Sequence, residues 1–478
     1  METTRIKDDG DQQLTWPIRG EYFMDESGSS RQSPTRRRVL KSLGGAASMI
    51  ATTGLGNANP ALAQGLASKG GMTLDGHVLV PKDKLNELVA RFYPAFNHNS
   101  ILPPFSPDRH GARFDVVLRR ITTFTRVPET GQQVKVSGLL AVPANVRGRL
   151  PVVSYQHGTI LSFDQVPSNL LKLGQPGYEL SDSEDSLETL FNVQRLAGNG
   201  FAVIAADYLG KGPFRQGRSE AYGVKGATVQ CCLDILSAGS MGLTQLGLGQ
   251  SALFLNGWSQ GGLNTQWLKQ ELERRRVSVA ATAMQSPFNN LAEALRYWSD
   301  PQSVIGIGSA YPSPPNWVSL CVIIVLGSYR EYYKMNDLFR AAIKPKHLPF
   351  AEKYWRDYTL TPTDLMAVPK SVSDLLVEGF SERFTHDVDS DFVRKLGESA
   401  STYWKYNSPV RFYYGLQDEA LHPSMMSLAL ASAGRFGHGI GVEGASHRGT
   451  VLASLYGEGK VVAGESNLLD WFQKHLKG

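Results

Sequence analysis

The chain of 478 residues carries a formal charge of only +5, with 42% hydrophobic and 19% charged residues. That balance supports a packed core and excludes global disorder, and without a basic stripe beyond the N-terminal region it gives no footing for nucleic-acid binding. Three cysteines, Cys231, Cys232 and Cys321, cannot form a disulfide framework and show no metal-site spacing, so they read as small packed hydrophobes.

The first strong signal is "TRRRVLKSLGGAASMIATTGLGNANPALAQG". Arg36 and Arg37, followed by Val39, Leu40 and Lys41, resemble a twin-arginine export signal. Residues 42–56 are weakly apolar and interrupted by Gly44, Gly45, Gly54 and Gly56, too short and too polar to span a bilayer. Ala61-Leu62-Ala63 forms an A-x-A site, which predicts cleavage after Ala63 and a mature end at Gln64. Met24 would provide a more typical start for such a signal than Met1, which N-terminal sequencing of an export-blocked precursor would test. The resemblance implies a twin-arginine translocase as partner during export, a periplasmic or secreted location and no stable transmembrane anchor. Residues 1–63 are therefore set aside from the fold.

Residues 64–112 read as a polar lead-in with one helix near 82–92, ending in a loop marked by Pro103, Pro104 and Pro107. Regular sheet is expected to begin at "ARFDVVLRRITTFTRV", which turns through "PETGQQ" into "VKVSGLLAVP", a hairpin. The character then changes. "LPVVSYQHG", "GFAVIAADYLG", "SALFLNGWS" and "VAATAMQSP" are short apolar runs without alternation, separated by helical patterns such as "SLETLFNVQRLAGNG" and "VKGATVQCCLDILSAG". Strands of that kind are buried on both faces, and intervening helices imply right-handed parallel crossovers. An antiparallel opening into a βαβ series predicts an α/β fold with a mostly parallel central sheet.

Between about Pro287 and Tyr406 the rhythm breaks into helical patterns around the proline-rich "AYPSPPNW", a stretch too long for a bare connection. It reads as an inserted helical cap over residues 288–405, with the core at 113–287 and 406–478. The apolar run 318–326 is too short to cross a membrane and reads as a buried cap helix, a substrate-contacting apolar surface being the alternative. Strands resume in "SPVRFYYGLQDEALHP" and "HGIGVEGASHRG", and a helix around "SNLLDWFQKHLKG" closes the chain.

Chemistry is concentrated at "LNGWSQGGLN", where Ser259 lies between Gly257-Trp258 and Gln260-Gly261. An apolar run of strand length precedes it, and "GGLNTQWLKQELERRR", with Leu263, Trp267 and Leu272 near helical spacing, follows. This is the strand–turn–helix context of a nucleophile elbow. A serine there takes an unfavourable backbone conformation, and its neighbours two residues away must be small, as Gly257 and Gly261 are; Gly262 would let the helix sit close to the sheet. Serine needs a base and the base needs an orienting carboxylate. His447 follows a strand in "GVEGASHRGT", whereas His438 precedes that strand, at the wrong sheet edge. Asp418 follows "VRFYYGLQ", at the strand end where catalytic groups gather in open α/β sheets, with adjacent Glu419 as the alternative acid. Oxyanion donors are expected at the amide of Gln260 and in the loop carrying His157, Gly158 and Thr159, where His157 shapes the loop.

The order Ser259, Asp418, His447, together with "SYQHGT", "GWSQGG", "YGLQDEALHP" and "GASHRG", resembles the α/β-hydrolase superfamily over residues 115–478. Within it, "YQHGT", "GWSQGG" and a helical insertion before the acid are similar to the exported lipase and esterase group, including secretory lipases of the Candida lipase A type. The resemblance implies hydrolysis of a small-molecule or lipid-like carboxylic ester through an acyl-enzyme, without metal or organic cofactor. The oxyanion-assisting acid of some secretory lipases has no counterpart in "HGTILS", which separates this chain from a strict lipase pattern. A serine peptidase or amidase, a polyester depolymerase and a non-catalytic binding protein on the same scaffold are the competing readings.

Overall fold

The computed structural model describes residues 71–476, apart from 183–184, 216, 218–219, 303–310 and 388; the export signal expected in residues 1–63 lies outside the described residues. Among the described residues nine strands form one sheet: β1 (Thr73–Val80), β2 (Val116–Arg126), β3 (Gln133–Pro143), β4 (Gly148–Gln156), β5 (Ala202–Ala206), β6 (Leu248–Trp258), β7 (Ala281–Gln285), β8 (Val410–Gly415) and β9 (Gly437–Val442). Their spatial order is β1-β2-β3-β5-β4-β6-β7-β8-β9. The pairs β1–β2, β2–β3 and β3–β5 are antiparallel, and every pair from β5–β4 onward is parallel.

The hairpin register pairs Val127 with its turn and runs unbroken from Arg126↔Gln133 to Val116↔Pro143. Both faces of the shortest parallel strands are covered: all five residues of β5 and of β7 are buried. The predicted antiparallel-to-parallel transition is therefore present. The sheet, however, starts at Thr73, within the stretch read as a polar lead-in, rather than at the hairpin. Strand β1 is an edge strand, largely exposed, with an irregularity between Asp75 and Val78 where Gly76 takes φ +70°. An exposed, bulged edge with Asp and Gly inside it lacks the apolar alternation by which strands are read.

Among the described residues, the α-helices of seven residues or more are α1 (Lys82–Phe92), α2 (Leu187–Arg195), α3 (Lys225–Gln245), α4 (Gln260–Arg274), α5 (Leu291–Ser299), α6 (Val318–Tyr332), α7 (Leu348–Asp357), α8 (Asp391–Ser399), α9 (Ser427–Ala433), α10 (Gly449–Tyr456) and α11 (Leu468–Lys474). On one face of the sheet, Val153, Tyr155, Ala205, Phe254 and Tyr413 pack with residues of α1, α2, α10 and α11. On the other face Val152, Ile204, Leu253 and Leu255 meet α3 and the far half of α4. Further along that face, Met284 and Phe412 join Trp267 of α4 and the helices between β7 and β8. Among the described residues this insertion adds no strand to the sheet, and it is helical as its sequence suggests.

Helix α6 carries the apolar run and is buried from Val318 through Tyr329. Its close packing has a local cause: a Cβ on Gly327 would lie 2.2 Å from Trp355 Cε3, so only glycine lets α7 approach there. Among the described residues no helix is long and apolar enough to cross a membrane. Cys231, Cys232 and Cys321 are free and buried, the first two in α3 and the third in α6.

From β4 the chain passes to β5 on one side and later to β6 on the other. The carboxyl ends of β4 and β6 thus flank a topological switch point, the crevice where open α/β sheets place ligands.

Candidate active site

Strand β6 ends at Trp258 and α4 begins at Gln260, which leaves Ser259 alone to turn the chain. Its φ of 57° and ψ of −119° lie in a region that serine rarely occupies, at a cost on the order of 1–3 kcal/mol. Three backbone bonds hold it there: Ser259 N donates to Gln285 O at 2.8 Å, and Gly262 N and Leu263 N donate to Ser259 O at 2.9 and 3.2 Å. The neighbouring glycines are needed for space. A Cβ on Gly261 would stand 1.9 Å from Gln156 O, and one on Gly257 2.4 Å from Gly261 O. Gly262 admits Pro287, just beyond β7, rather than the sheet itself. Beneath the turn a buried amide ladder links β7, β6 and α2: Gln285 Nε2 donates to Asn256 Oδ1 at 2.8 Å, and Asn256 Nδ2 to Asn192 Oδ1 at 2.7 Å.

The three residues singled out in the sequence converge. His447 Nε2 is 2.9 Å from Ser259 Oγ, and His447 Nδ1 is 2.9 and 3.0 Å from the two Asp418 carboxylate oxygens. With Nδ1–H donated to the carboxylate, Nε2 faces the hydroxyl as an acceptor. All three are nearly enclosed, with exposures of 5%, 3% and 1% for Ser259, His447 and Asp418.

Asp418 follows β8 and is fixed by its own loop, since Oδ1 accepts from Ala420 N at 3.0 Å and from Leu421 N at 2.9 Å. Glu419, the alternative acid, faces elsewhere: its Oε2 accepts from the backbone N–H of His447 at 3.0 Å. Burial alone would depress the His447 pKa, but the Asp418 carboxylate, helped by Glu419, outweighs it and leaves the imidazole above its ordinary value. His438 is the second residue of β9, at the opposite end of that strand from the His447 loop, and pairs with Glu465. Helix α10 starts two residues after His447, a separate element ahead of the closing helix that the sequence reading did not assign.

The loop after β4 lies alongside. Gly158 lies against the indole of Trp258, which a Cβ would approach to 2.5 Å, and Thr159 Oγ1 is 2.7 Å from Tyr222 OH. His157 is fully buried, stacks on Tyr208 with ring centroids 4.1 Å apart, and has Nδ1 2.8 Å from Gly158 O. Burial and Lys211 push its pKa well below the ordinary histidine value, which favours the neutral ring. Gln260 is the first residue of α4, and helix-starting amides have no partner inside their own helix.

Three residues close to this site escaped the sequence reading. The Gln260 side chain donates to Glu220 at 2.6 Å, and Glu220 also pairs with Lys211 at 2.6 Å and with Tyr358 OH. No motif marks them, because their meeting depends on elements far apart in the chain. Among the described residues no group of three or more His, Cys, Asp or Glu side chains is placed to hold a metal ion.

No protein-family model matches this sequence, and neither does any curated protein. Solved structures do resemble it. The rice cell wall degrading esterase LipA from Xanthomonas oryzae superposes with a TM-score of 0.64 at 18% identity, covering 80% of this chain and 95% of that one. A Legionella pneumophila protein gives 0.66 at 18% identity, with coverages of 84% and 98%. Candida antarctica lipase A gives 0.50 at 13% identity, with coverages of 78% and 77%. These likenesses, with the sheet described above, show an α/β-hydrolase fold.

Proposed function

We propose that this chain is an exported serine hydrolase that cleaves carboxylic esters through an acyl-enzyme on Ser259. The observation that carries the reading is the continuous row from Asp418 through His447 to Ser259, with every link at 2.9–3.0 Å and the serine on a strained turn. His447 takes the Ser259 proton as Oγ attacks the ester carbonyl, and Asp418 keeps the imidazole in the tautomer that can accept it. The amide of Gln260 and those of Gly158 and Thr159 are assigned to the developing oxyanion. Protonated His447 then delivers its proton to the leaving alcohol, and water repeats the cycle against the acyl-enzyme.

The insertion, residues 288–405, is assigned as a cap over this row. In support, Tyr311 OH donates to Asp418 O at 2.9 Å, Trp298 Nε1 to Ala420 O at 2.7 Å, and the Trp317 ring stands 6.2 Å from that of His447. Ester chemistry is favoured over peptide cleavage by the kind of neighbour found, a cell wall degrading esterase and a lipase. Residues 1–63 are assigned as a twin-arginine signal cleaved after Ala63, on the motif at Arg36-Arg37.

The test is hydrolysis of p-nitrophenyl acetate, butyrate and palmitate beside an aminoacyl anilide, with Ser259→Ala as control. Ester turnover that vanishes in Ser259→Ala supports the reading, and turnover that survives it refutes the mechanism. Preference along the acyl series separates esterase from lipase, and a polyester film tests depolymerase activity. Replacing Arg36 and Arg37 with lysine should retain the protein in the cytoplasm.

A further inference from the structure

We infer that Glu220 is a positioning residue for the oxyanion site, a single carboxylate from which both walls of that site take their place. The inference rests on the reading of Ser259 as nucleophile and extends it to how the donors are held.

Glu220 is 1% exposed, in the segment between β5 and α3. Its Oε1 accepts from Gln260 Nε2 at 2.6 Å and faces Lys211 Nζ at 2.6 Å, while Oε2 accepts from Tyr358 OH. The backbone is tied as well, since Ser328 Oγ of α6 donates to Glu220 O at 2.6 Å. Gln260 opens α4 and follows the nucleophile directly. On the other wall, Tyr222, two residues beyond Glu220, reaches Thr159 Oγ1 at 2.7 Å. The backbone of Tyr358 adds a further tie, its carbonyl accepting from Phe163 N at 2.9 Å. The first residue of α4 and the insertion therefore meet on the Glu220 side chain, and the loop after β4 is tied to it at one remove, through Tyr222 and Tyr358.

Folding alone gives little reason for such a group. A buried ion pair is weak evidence for stability, because apolar residues of similar volume pack at least as well. Lys211 itself is 2% exposed, and burial pushes its pKa below the ordinary lysine value while Glu220 opposes that shift. A charged pair does, however, hold hydrogen-bond partners to a narrow geometry, and oxyanion donors must stand where charge will develop. A displacement of about 1 Å can lower a rate on the order of 100-fold.

The test compares Glu220→Gln, Gln260→Ala and Tyr358→Phe with wild type on p-nitrophenyl butyrate, with rates normalised to the serine titrated by a fluorophosphonate. Gln260→Ala keeps the backbone amide and leaves the Glu220–Lys211 pair intact, so it reports on the tether even where Glu220→Gln fails to fold. The expected result is a kcat per titrated site lower by about 10- to 100-fold in Glu220→Gln and Gln260→Ala, and by a smaller factor in Tyr358→Phe. KM should stay within about threefold, while binding of phenylboronic acid, whose tetrahedral adduct occupies the oxyanion site, weakens in step with kcat. The inference is overturned if kcat per titrated site stays within about twofold of wild type in Gln260→Ala and in whichever other variants fold. It is equally overturned if only the number of titratable sites falls. Loss of the parent reading is distinguishable, since ester turnover would then survive Ser259→Ala.

Discussion

The indole N–H of Trp258 donates to the carbonyl oxygen of His447 at 3.1 Å, and the two rings lie 5.1 Å apart. The residue that ends β6 beside the proposed nucleophile thus also holds the loop of the proposed base, so the two halves of the proton-transfer pair are referenced to each other. Thr450 Oγ1 donates to the same carbonyl at 2.8 Å. Replacing Trp258 with Phe keeps most of the ring and removes one of these two bonds. The expected outcome is a stability loss of about 1 kcal/mol and a kcat several-fold lower, read by thermal unfolding and p-nitrophenyl ester turnover.

The elbow glycines should be intolerant for reasons of space. In Gly261→Ala the new methyl meets the carbonyl of Gln156, a backbone atom that cannot swing away. Destabilisation of about 1–3 kcal/mol or more is expected, together with loss of ester turnover, whereas Gly397→Ala, with open space around its Cβ, should retain both. Chemical denaturation of the two variants provides the check.

The pH dependence of ester turnover should carry the signature of His447. Its folded pKa is raised, so the acid limb of kcat/KM should lie above the ordinary histidine value of 6.5. The same shift makes His447 a stabilising group fully below the unfolded value, a contribution lost as pH rises through the folded one. In Asp418→Asn the charge that outweighs burial is gone, so the imidazole should titrate at lower pH, visible by proton NMR, with kcat down by about 10⁴-fold. Glu419→Gln, at a carboxylate that bonds the backbone N–H of His447 rather than its ring, should cost far less activity.

Thiol reactivity provides an independent check on the packing of α3 and α6. Burial raises all three thiol pKa values, that of Cys232 to about 12. Native protein should therefore leave Ellman's reagent unreacted, and unfolding in guanidinium should release all three thiols. Reaction of any thiol in the native state would contradict the buried core described here.

What local pattern can encode was readable from the residues themselves. The hairpin, the buried parallel strands and helix α1 follow from periodicity and turn chemistry. The elbow follows from small residues at the places where a strand and a helix crowd one another. The order Ser259, Asp418, His447 could be chosen because each follows an apolar run at the sheet's carboxyl edge, a property of short segments. Strand β1 was not readable in that way: an exposed edge needs little apolar alternation, and its identity comes from pairing with β2. The sequence put Asp418 first with adjacent Glu419 as the alternative acid, and the folded loop aims these two carboxylates at Nδ1 and at a backbone N–H respectively. The tie from Trp258 to His447 and the meeting of Glu220, Lys211, Gln260 and Tyr358 were decided by tertiary structure alone. Contacts of that kind join side chains whose separation along the chain carries no periodic signal, so only packing brings them within hydrogen-bond reach.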